Sequence, residues 1–144
     1  PDQKFDTIPF LDLVQFVETA FQVRSPAVIY THWLGDLNLD HRLTAQAVLT
    51  AARPLPGSSV KEILGCEVLS STEWGLEPFA PTVFVSLPSK AALWRRSALE
   101  CYATELREHP HARSNSQAWE QIERRGAQCG QEFAEAFVCY RSIR

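Results

Sequence analysis

The sequence predicts an α/β fold built on a doubly wound sheet, which has helices on both of its faces. Amphipathic helix patterns alternate with short apolar runs along the 144 residues. The clearest apolar run, at 27–31, is continuously hydrophobic, as expected for a parallel strand buried on both faces. The chain opens on a polar segment and a helix pattern rather than on a strand. We therefore expect the first strands of the sheet in an N-terminal segment that is missing from this chain.

The first half of the chain has the pattern of a helix, a strand, a loop and a second helix. Apolar residues recur at helical spacing over 9–23, and Pro26 ends that helix because the residue before a proline avoids helical dihedral angles. The strand at 27–31 follows, and a polar loop separates it from an amphipathic helix over 43–52. The segment 53–58 holds two prolines and a glycine, which predict a turn-rich linker.

The second half also alternates strands with helices. Ser89 is predicted to cap the longer of its two helices because a serine hydroxyl can accept a backbone N–H. The predicted strands lie at 60–69, 82–87 and 134–140, and the predicted helices lie at 89–107 and 115–128. This alternation is typical of the later part of a Rossmann-like domain. We expect residues 1–144 to form a single domain.

Length and composition narrow the class of protein. A chain of this length buries about 68–70% of its unfolded surface, which is enough for a sizeable core. The net charge of −3 gives no reason to expect nucleic acid as a partner. No apolar run reaches the roughly 18 residues of a membrane span. The four cysteines are widely spaced and form no CxxC pair, so we expect reduced thiols in a cytoplasmic protein.

A polar cluster fills the loop between the strand at 27–31 and the helix after it. Asp40 is predicted to cap that helix, which places His41 in the first turn with Asn38 three residues before it. A neutral imidazole at this strand end makes a good zinc ligand, and Asp36 or Asp40 can orient it. The alternative is that Asp40 is only a cap and that His41 is a solvated first-turn residue.

The run 36–42, Asp-Leu-Asn-Leu-Asp-His-Arg, resembles the second motif of the LmbE-like (PIG-L) deacetylases. These zinc-dependent enzymes remove acyl groups, usually acetyl, from N-acylated amino sugars. The segments 1–6, 70–74, 110–114 and 134–137 also resemble the family, in the same order and spacing. The resemblance therefore extends over nearly the whole chain.

The chain departs from the family's pattern at two places. The Ala-His-Pro-Asp-Asp-Glu run that supplies two zinc ligands and a general base in the family is absent. Trp33 and Leu34 stand where relatives often carry His-Pro. The first departure implies that this chain alone is inactive and that the remaining ligands belong to an N-terminal fragment of the same protein. The second implies an altered substrate pocket.

The resemblance implies one zinc ion bound by His41, with Asp40 as the residue that orients this ligand. Asn38 stands where relatives often place a histidine that stabilises the tetrahedral intermediate, and His32 is the nearest candidate for delivering a proton. We expect Asn38 and Asp40 in catalytic roles. The residues expected to contact the substrate are His32, Asp36, Arg42, Glu73, Trp74 and Arg113.

The function implied by the resemblance is the hydrolysis of an N-acyl amino sugar by a homo-oligomeric enzyme. Two other classes of function stay open. One is a non-catalytic relative that acts as a glycan-binding or interaction module, which the missing signature favours. The other is a Rossmann-like transferase in which the Asp-His pair is a coincidence. A His-Pro-Asp-Asp run in the upstream coding sequence would favour the hydrolase.

Overall fold

The computed structural model describes residues 3–144, and these form an α/β fold with an open four-stranded sheet and four α-helices. Pro1 and Asp2, which begin the first segment of the family resemblance, lie outside the described residues. The chain divides into two compact units, one of residues up to Ala80 with Val138–Arg144 and one of Pro81–Phe137. The assignment of a single domain stays a prediction. Across the described residues, no helix is both long and apolar enough to cross a membrane.

The elements follow one another largely as the alternation predicts. A short 3₁₀ helix at Phe5–Thr7 precedes the regular elements. In chain order these are α1 (Phe10–Arg24), β1 (Val28–His32), α2 (Leu39–Ala51), β2 (Glu62–Cys66), β3 (Val83–Ser86), α3 (Ser89–Glu100), α4 (Asn115–Cys129) and β4 (Ala134–Ser142). The strand order in the sheet is β1-β2-β4-β3.

In the first unit, β1 and β2 pair in parallel, with Val28 opposite Glu62 and His32 opposite Cys66. The helices α1 and α2 pack against one another, and side chains from both reach the buried face of β1. The core cluster of this unit contains Ile29, Val48, Ala52, Val60 and Ile63. This core fixes the carboxyl end of β1 beside the first turn of α2.

The expectation that the first strand is buried on both faces is wrong. Ile29 and Thr31 are buried, whereas Val28 and Tyr30 on the opposite face are 43% and 60% exposed. The reason is that α1 and α2 cover the face that carries Ile29. Alternate residues of a strand point to opposite faces, so only one set of side chains reaches this core.

The second unit has its own strand pair and its own core. Strands β3 and β4 are antiparallel, with Val83 opposite Phe137. The core cluster joins both helices of the unit to the start of β4 and contains Ala92, Ile122 and Phe133. The Arg95 guanidinium donates to the Glu135 carboxylate at 3.1 Å, the Ala118 carbonyl at 3.1 Å and the Gln121 side chain at 3.0 Å. These bonds connect α3 to α4 and β4.

Helix α3 differs from its prediction at both ends. Its N-cap residue is Pro88, which makes no side-chain capping bond, and Ser89 instead donates to Glu132. The helix ends at Glu100 rather than at 107 because the Tyr102 N–H bonds to the Leu99 carbonyl three residues back, which tightens the last turn.

Strand β2 is shorter than the predicted strand over 60–69. The carbonyl of Val68 accepts the N–H groups of Ser71 and Thr72, so the chain turns directly after the strand. Ser70 within this turn has a φ of 75°, in the left-handed region. The turn brings Ser70 and Ser71 to the edge of the sheet where β1 ends, because the carboxyl ends of parallel strands lie together.

Candidate functional site

Two histidine rings stack at the carboxyl end of β1. His32 is the last residue of β1, and His41 lies in the first turn of α2. Their ring centroids are 3.9 Å apart and their planes differ by 3°. Two positive charges at this distance repel one another, so the stack favours a state in which the rings are not both protonated.

Asp36 organises this histidine pair from the loop between β1 and α2. It is only 1% exposed, and its Oδ2 accepts hydrogen bonds from His41 Nδ1 at 2.9 Å and from the Ser71 hydroxyl at 2.8 Å. Its Oδ1 accepts the backbone N–H of Asn38 at 2.7 Å. Because an ionised carboxylate only accepts hydrogen bonds, the proton of a neutral His41 resides on Nδ1 and the lone pair on Nε2.

The charge states of these groups follow from their surroundings. Burial would raise the pKa of the Asp36 carboxyl, but the hydrogen bonds it accepts outweigh burial and hold this pKa below its usual value. Burial lowers the pKa of His32, and the neighbouring His41 lowers it further against the opposing charge of Asp36. The site at neutral pH therefore combines a carboxylate with a neutral His32 ring.

A buried ring nitrogen of the histidine pair lacks a hydrogen bond to any described residue. Nδ1 of His32 is buried, and no described residue is its partner. A buried polar atom without a partner costs about 1–3 kcal/mol. A partner for this nitrogen would remove that cost.

His32, Asp36 and His41 form the candidate metal site. Each offers one ligand atom, and these atoms lie within 4.8 Å of one another. Two imidazoles with a carboxylate are the donor types that zinc takes in catalytic sites. The unpartnered nitrogen of His32 and the ionised Asp36 fit a cation at this position. Sequence reasoning expected a single metal ligand from this chain, and the structure places two further donors beside it.

Asp40 has a different place from the one predicted. The N-cap of α2 is Asn38, whose Oδ1 accepts the Asp40 N–H at 2.9 Å, and the expectation that Asp40 caps the helix is wrong. The Asp40 carboxylate accepts the backbone N–H groups of Lys4 and Phe5 at 3.2 and 3.1 Å. It thereby anchors the start of the chain, and the carboxylate that contacts His41 is that of Asp36. Asn and Asp are equally good caps, so the sequence could not separate them.

Arg42 and Glu73 hold the backbone of their own loops. The Nη1 group of Arg42 donates to the carbonyls of Asp36 at 2.6 Å and Leu37 at 2.7 Å. The Glu73 carboxylate accepts the N–H of Ser70 at 2.6 Å, in the turn after β2. Both residues shape the loops around the histidine pair, and their predicted contact with substrate stays a prediction.

Trp74 borders a cavity of about 400 Å³ beside the start of α2. Asn38, Asp40 and Ser71 also line it. The Trp74 side chain is 56% exposed. Trp74 therefore lies at the edge of this cavity, and its predicted contact with substrate stays a prediction.

Arg113 lies in the second unit, where its Nη1 group donates to the Glu105 carboxylate at 2.6 Å. Its Nε is buried without a partner among the described residues. The guanidinium thus forms a partly exposed ion pair in the loop between α3 and α4. Its predicted contact with substrate stays a prediction.

The departure at Trp33 affects packing. Trp33 is 8% exposed, and its ring meets Phe79 edge to face at a centroid distance of 5.5 Å. A Cβ atom at Gly35 would overlap the Trp33 ring, so only glycine leaves room for it. The large side chain therefore fills a buried position under the loop that carries Asp36.

Sequence reasoning missed two residues that support the site. Ser71 donates to Asp36, and the signal for it was its place directly after a strand parallel to β1. The Tyr140 hydroxyl accepts the Leu34 N–H at 2.7 Å and donates to the His32 carbonyl at 3.2 Å. Nothing in the local pattern around Tyr140 indicates these bonds, because their partners lie more than a hundred residues away.

Comparison with known proteins identifies the fold and no family. Neither a protein-family model nor a curated protein sequence matches the chain. Among solved structures, the conserved protein TT1542 from Thermus thermophilus aligns with a TM-score of 0.75 and 17% identity, over 100% of this chain and 64% of that one. GalB, the 4-carboxy-2-hydroxymuconate hydratase from Pseudomonas putida, aligns with a TM-score of 0.67 and 16% identity, over 92% and 60%. The chain thus spans less than two thirds of either protein and shares their fold.

Proposed function

We propose that His32, Asp36 and His41 belong to the metal centre of a hydrolase that removes an N-acyl group from an amino sugar. The observation that carries this proposal is the hydrogen bond of His41 to the buried Asp36 carboxylate, beside the unpartnered nitrogen of His32. The acyl-sugar substrate comes from the family resemblance of the run 36–42. The proposal includes a Rossmann-like doubly wound sheet completed by a preceding segment that holds further ligands.

Zinc is the ion that this donor set favours, and when bound it lowers the pKa of a water molecule to about 7 and polarises an amide carbonyl. Asp36 keeps the Nδ1 proton of His41 in place, so Nε2 is the ligand atom that this ring offers and Asp36 orients the ring. The lowered pKa of His32 keeps a second nitrogen free of a proton at neutral pH. In this proposal these residues bind and orient the ion.

Asn38 is the proposed donor to the oxyanion that forms when the amide is attacked. Its Oδ1 is occupied by the helix cap, which leaves the amide nitrogen of the same side chain as a hydrogen-bond donor. A donor of this kind that contacts the developing charge contributes about 10²–10³ in turnover. The cap fixes the side chain in place before the substrate arrives.

The metal assignment is tested by the zinc content of the purified chain after equilibration with zinc and gel filtration. We expect bound zinc in the unchanged chain and its loss in both His41→Ala and His32→Ala. His109→Ala removes an exposed histidine of the other unit and is the matched control. Undiminished zinc in His41→Ala, or an equal loss in His109→Ala, would refute the assignment.

The reaction is tested with the natural full-length protein loaded with zinc. Acetate release from a panel of N-acetyl amino sugars should be detectable, and Asn38→Ala should lower turnover about 10²–10³-fold with zinc content unchanged. Asn38→His should keep activity, because the family resemblance implies a histidine at this position in many relatives. If no sugar of the panel is hydrolysed, a non-catalytic glycan-binding module is the better interpretation.

A further inference from the structure

The cavity beside the start of α2 has a lining chemistry of its own. Its volume is about 400 Å³. The polar and aromatic side chains around it are two carboxylates, two amides, two hydroxyls and an indole, from Asp6, Asp40, Gln3, Asn38, Ser70, Ser71 and Trp74. Of the lining residues in the described part of the chain, none carries a cationic side chain. A concave pocket in which polar groups converge beside an aromatic side chain is a candidate small-molecule site.

The wall of the cavity that carries Gln3 and Asp6 is held by a specific contact. The Asp40 carboxylate accepts the N–H groups of Lys4 and Phe5, one on each oxygen. These bonds hold residues 4 and 5 in place, and Gln3 and Asp6 are their neighbours in the chain. The position of Asp40 at the start of α2 also suits its charge, because the helix dipole stabilises an anion there. The cavity is therefore formed by the fold rather than by a loose terminal segment.

Trp74 supplies an exposed aromatic surface to this cavity. The side chain is 56% exposed, and the face of an aromatic ring carries partial negative charge that attracts polarised C–H groups. A sugar ring presents such C–H groups on one face and hydroxyls around its rim. The amides of Gln3 and Asn38 can both donate to and accept from hydroxyls, and the carboxylate of Asp6 can accept from them.

The negative charge of the cavity determines which sugars it can bind. Two carboxylates line it, and no lining cation among the described residues offsets them. A phosphate or a nucleotide group would meet unfavourable charge here, whereas a neutral or amino-bearing sugar would not. We propose that this cavity binds the ring of a sugar that carries no negative charge, with Trp74 against the ring. The assignment rests on the proposed function for its link to hydrolysis, and it deepens that function by excluding sugar phosphates and nucleotide sugars as substrates.

The test measures binding of N-acetylglucosamine and of N-acetylglucosamine 1-phosphate by NMR titration, with a chelator present so that no metal contributes. The neutral sugar should bind, and the phosphate should bind at least about tenfold more weakly because of charge repulsion. Trp74→Ala should weaken binding of the neutral sugar about tenfold, and Trp74→Phe should keep it because the ring is retained. Trp94→Ala is the matched control, since Trp94 is 64% exposed on α3 and is not among the residues that line the cavity.

The carboxylate is tested separately. Asp6→Asn should reduce the difference in affinity between the neutral and the phosphorylated sugar, because it removes one of the two carboxylates. Asp12→Asn on α1 should leave this difference unchanged. Absence of binding by the neutral sugar, equal binding of both probes, or full binding in Trp74→Ala would overturn the proposal. A protein that binds zinc and releases acetate but fails these titrations loses only the cavity assignment. A protein that passes them without binding zinc keeps this cavity and loses the hydrolase.

Discussion

The loop at 33–38, before α2, and the loop at 101–114, before α4, both carry charged residues and lead into capped helices, yet they use their charges differently. In the first loop, Asp36 is 1% exposed and accepts three hydrogen bonds. In the second loop, Arg113 pairs with Glu105, and their side chains are 33% and 61% exposed. The comparison teaches that the burial and convergence of polar groups indicate a site, whereas their number does not.

The second loop uses its polar side chains mainly to complete its own backbone. Arg107 donates to the carbonyls of Thr104 and Leu106, and the His111 ring accepts the Arg113 N–H at 3.0 Å. These contacts span one to three residues of sequence. The Asp36 cluster instead joins the loop to the turn after β2, 35 residues away. Contacts that join separate segments define the geometry of a site more strictly than local ones.

The largest expected difference between the loops is in stability. Asp36→Ala leaves three half-buried donors without their acceptor and should lower the free energy of unfolding by about 3 kcal/mol. Glu105→Ala breaks an exposed ion pair and should lower it by less than about 1 kcal/mol. Urea denaturation of both variants measures the two losses. Equal losses would contradict the distinction between the loops.

The Tyr140 hydroxyl, which connects β4 to the end of β1, gives the next largest expected effect on stability. Tyr140→Phe removes the hydroxyl that joins Leu34 and His32, and it should lower the free energy of unfolding by about 1–2 kcal/mol. The NMR signals of the His32 ring should shift as well. Tyr102→Phe removes the hydroxyl of a side chain that is 66% exposed and should change neither quantity. Unchanged NMR signals of the His32 ring in Tyr140→Phe would show that these hydrogen bonds do not affect the site.

The two helix caps should behave alike, which limits the contrast between the loops to their buried charges. Asn38 accepts the Asp40 N–H at 2.9 Å, and Ser114 accepts the Gln117 N–H at 3.3 Å. Alanine at either position should lower the free energy of unfolding by about 1 kcal/mol, measured by urea denaturation. Asn38→Asp and Ser114→Asp keep an acceptor and serve as controls. A loss at one cap alone would show that the loops differ in more than charge burial.

The smallest effect concerns the ion pair of the second loop. Arg113→Gln should lower the free energy of unfolding by less than about 1 kcal/mol, and the loss should shrink in high salt because exposed charges are screened. Arg95→Gln should cost more, since Arg95 bonds to Glu135, Gln121 and the Ala118 carbonyl. Urea denaturation at low and high salt separates the two. A salt-independent loss at Arg113 would indicate a buried role for its guanidinium.

The sequence predicts elements better than it predicts their ends. The helices at 115–128 and 9–23 lie within one residue of α4 and α1, because strong periodicity and a serine cap or a proline mark them. The helix at 89–107 is too long by seven residues, since the segment after Glu100 has good helix formers that the turn at Tyr102 overrides. Helix propensity is therefore a weak guide to the residue at which a helix ends.

For the candidate site, too, the sequence predicts which residues take part better than it predicts their contacts. The sequence places His41, Asp36 and Asn38 in one loop, and the structure joins them there. It does not separate Asp36 from Asp40 as the partner of His41, because either carboxylate is near in sequence and only the helix start decides which faces the ring. The stacking of His32 on His41 depends on how close the end of β1 lies to the first turn of α2. The local sequence pattern does not determine that distance.

The hydroxyl of Tyr140 lies 106 residues along the chain from the Leu34 amide that it accepts. During synthesis, β1 and α2 therefore leave the ribosome long before the residue that braces the strand end carrying His32. Contacts of such long sequence separation close late in folding. Until β4 is made and folds, the strand end that carries His32 lacks both hydrogen bonds to the Tyr140 hydroxyl. A nascent chain that stops before residue 140 therefore carries the two histidine rings without these bonds.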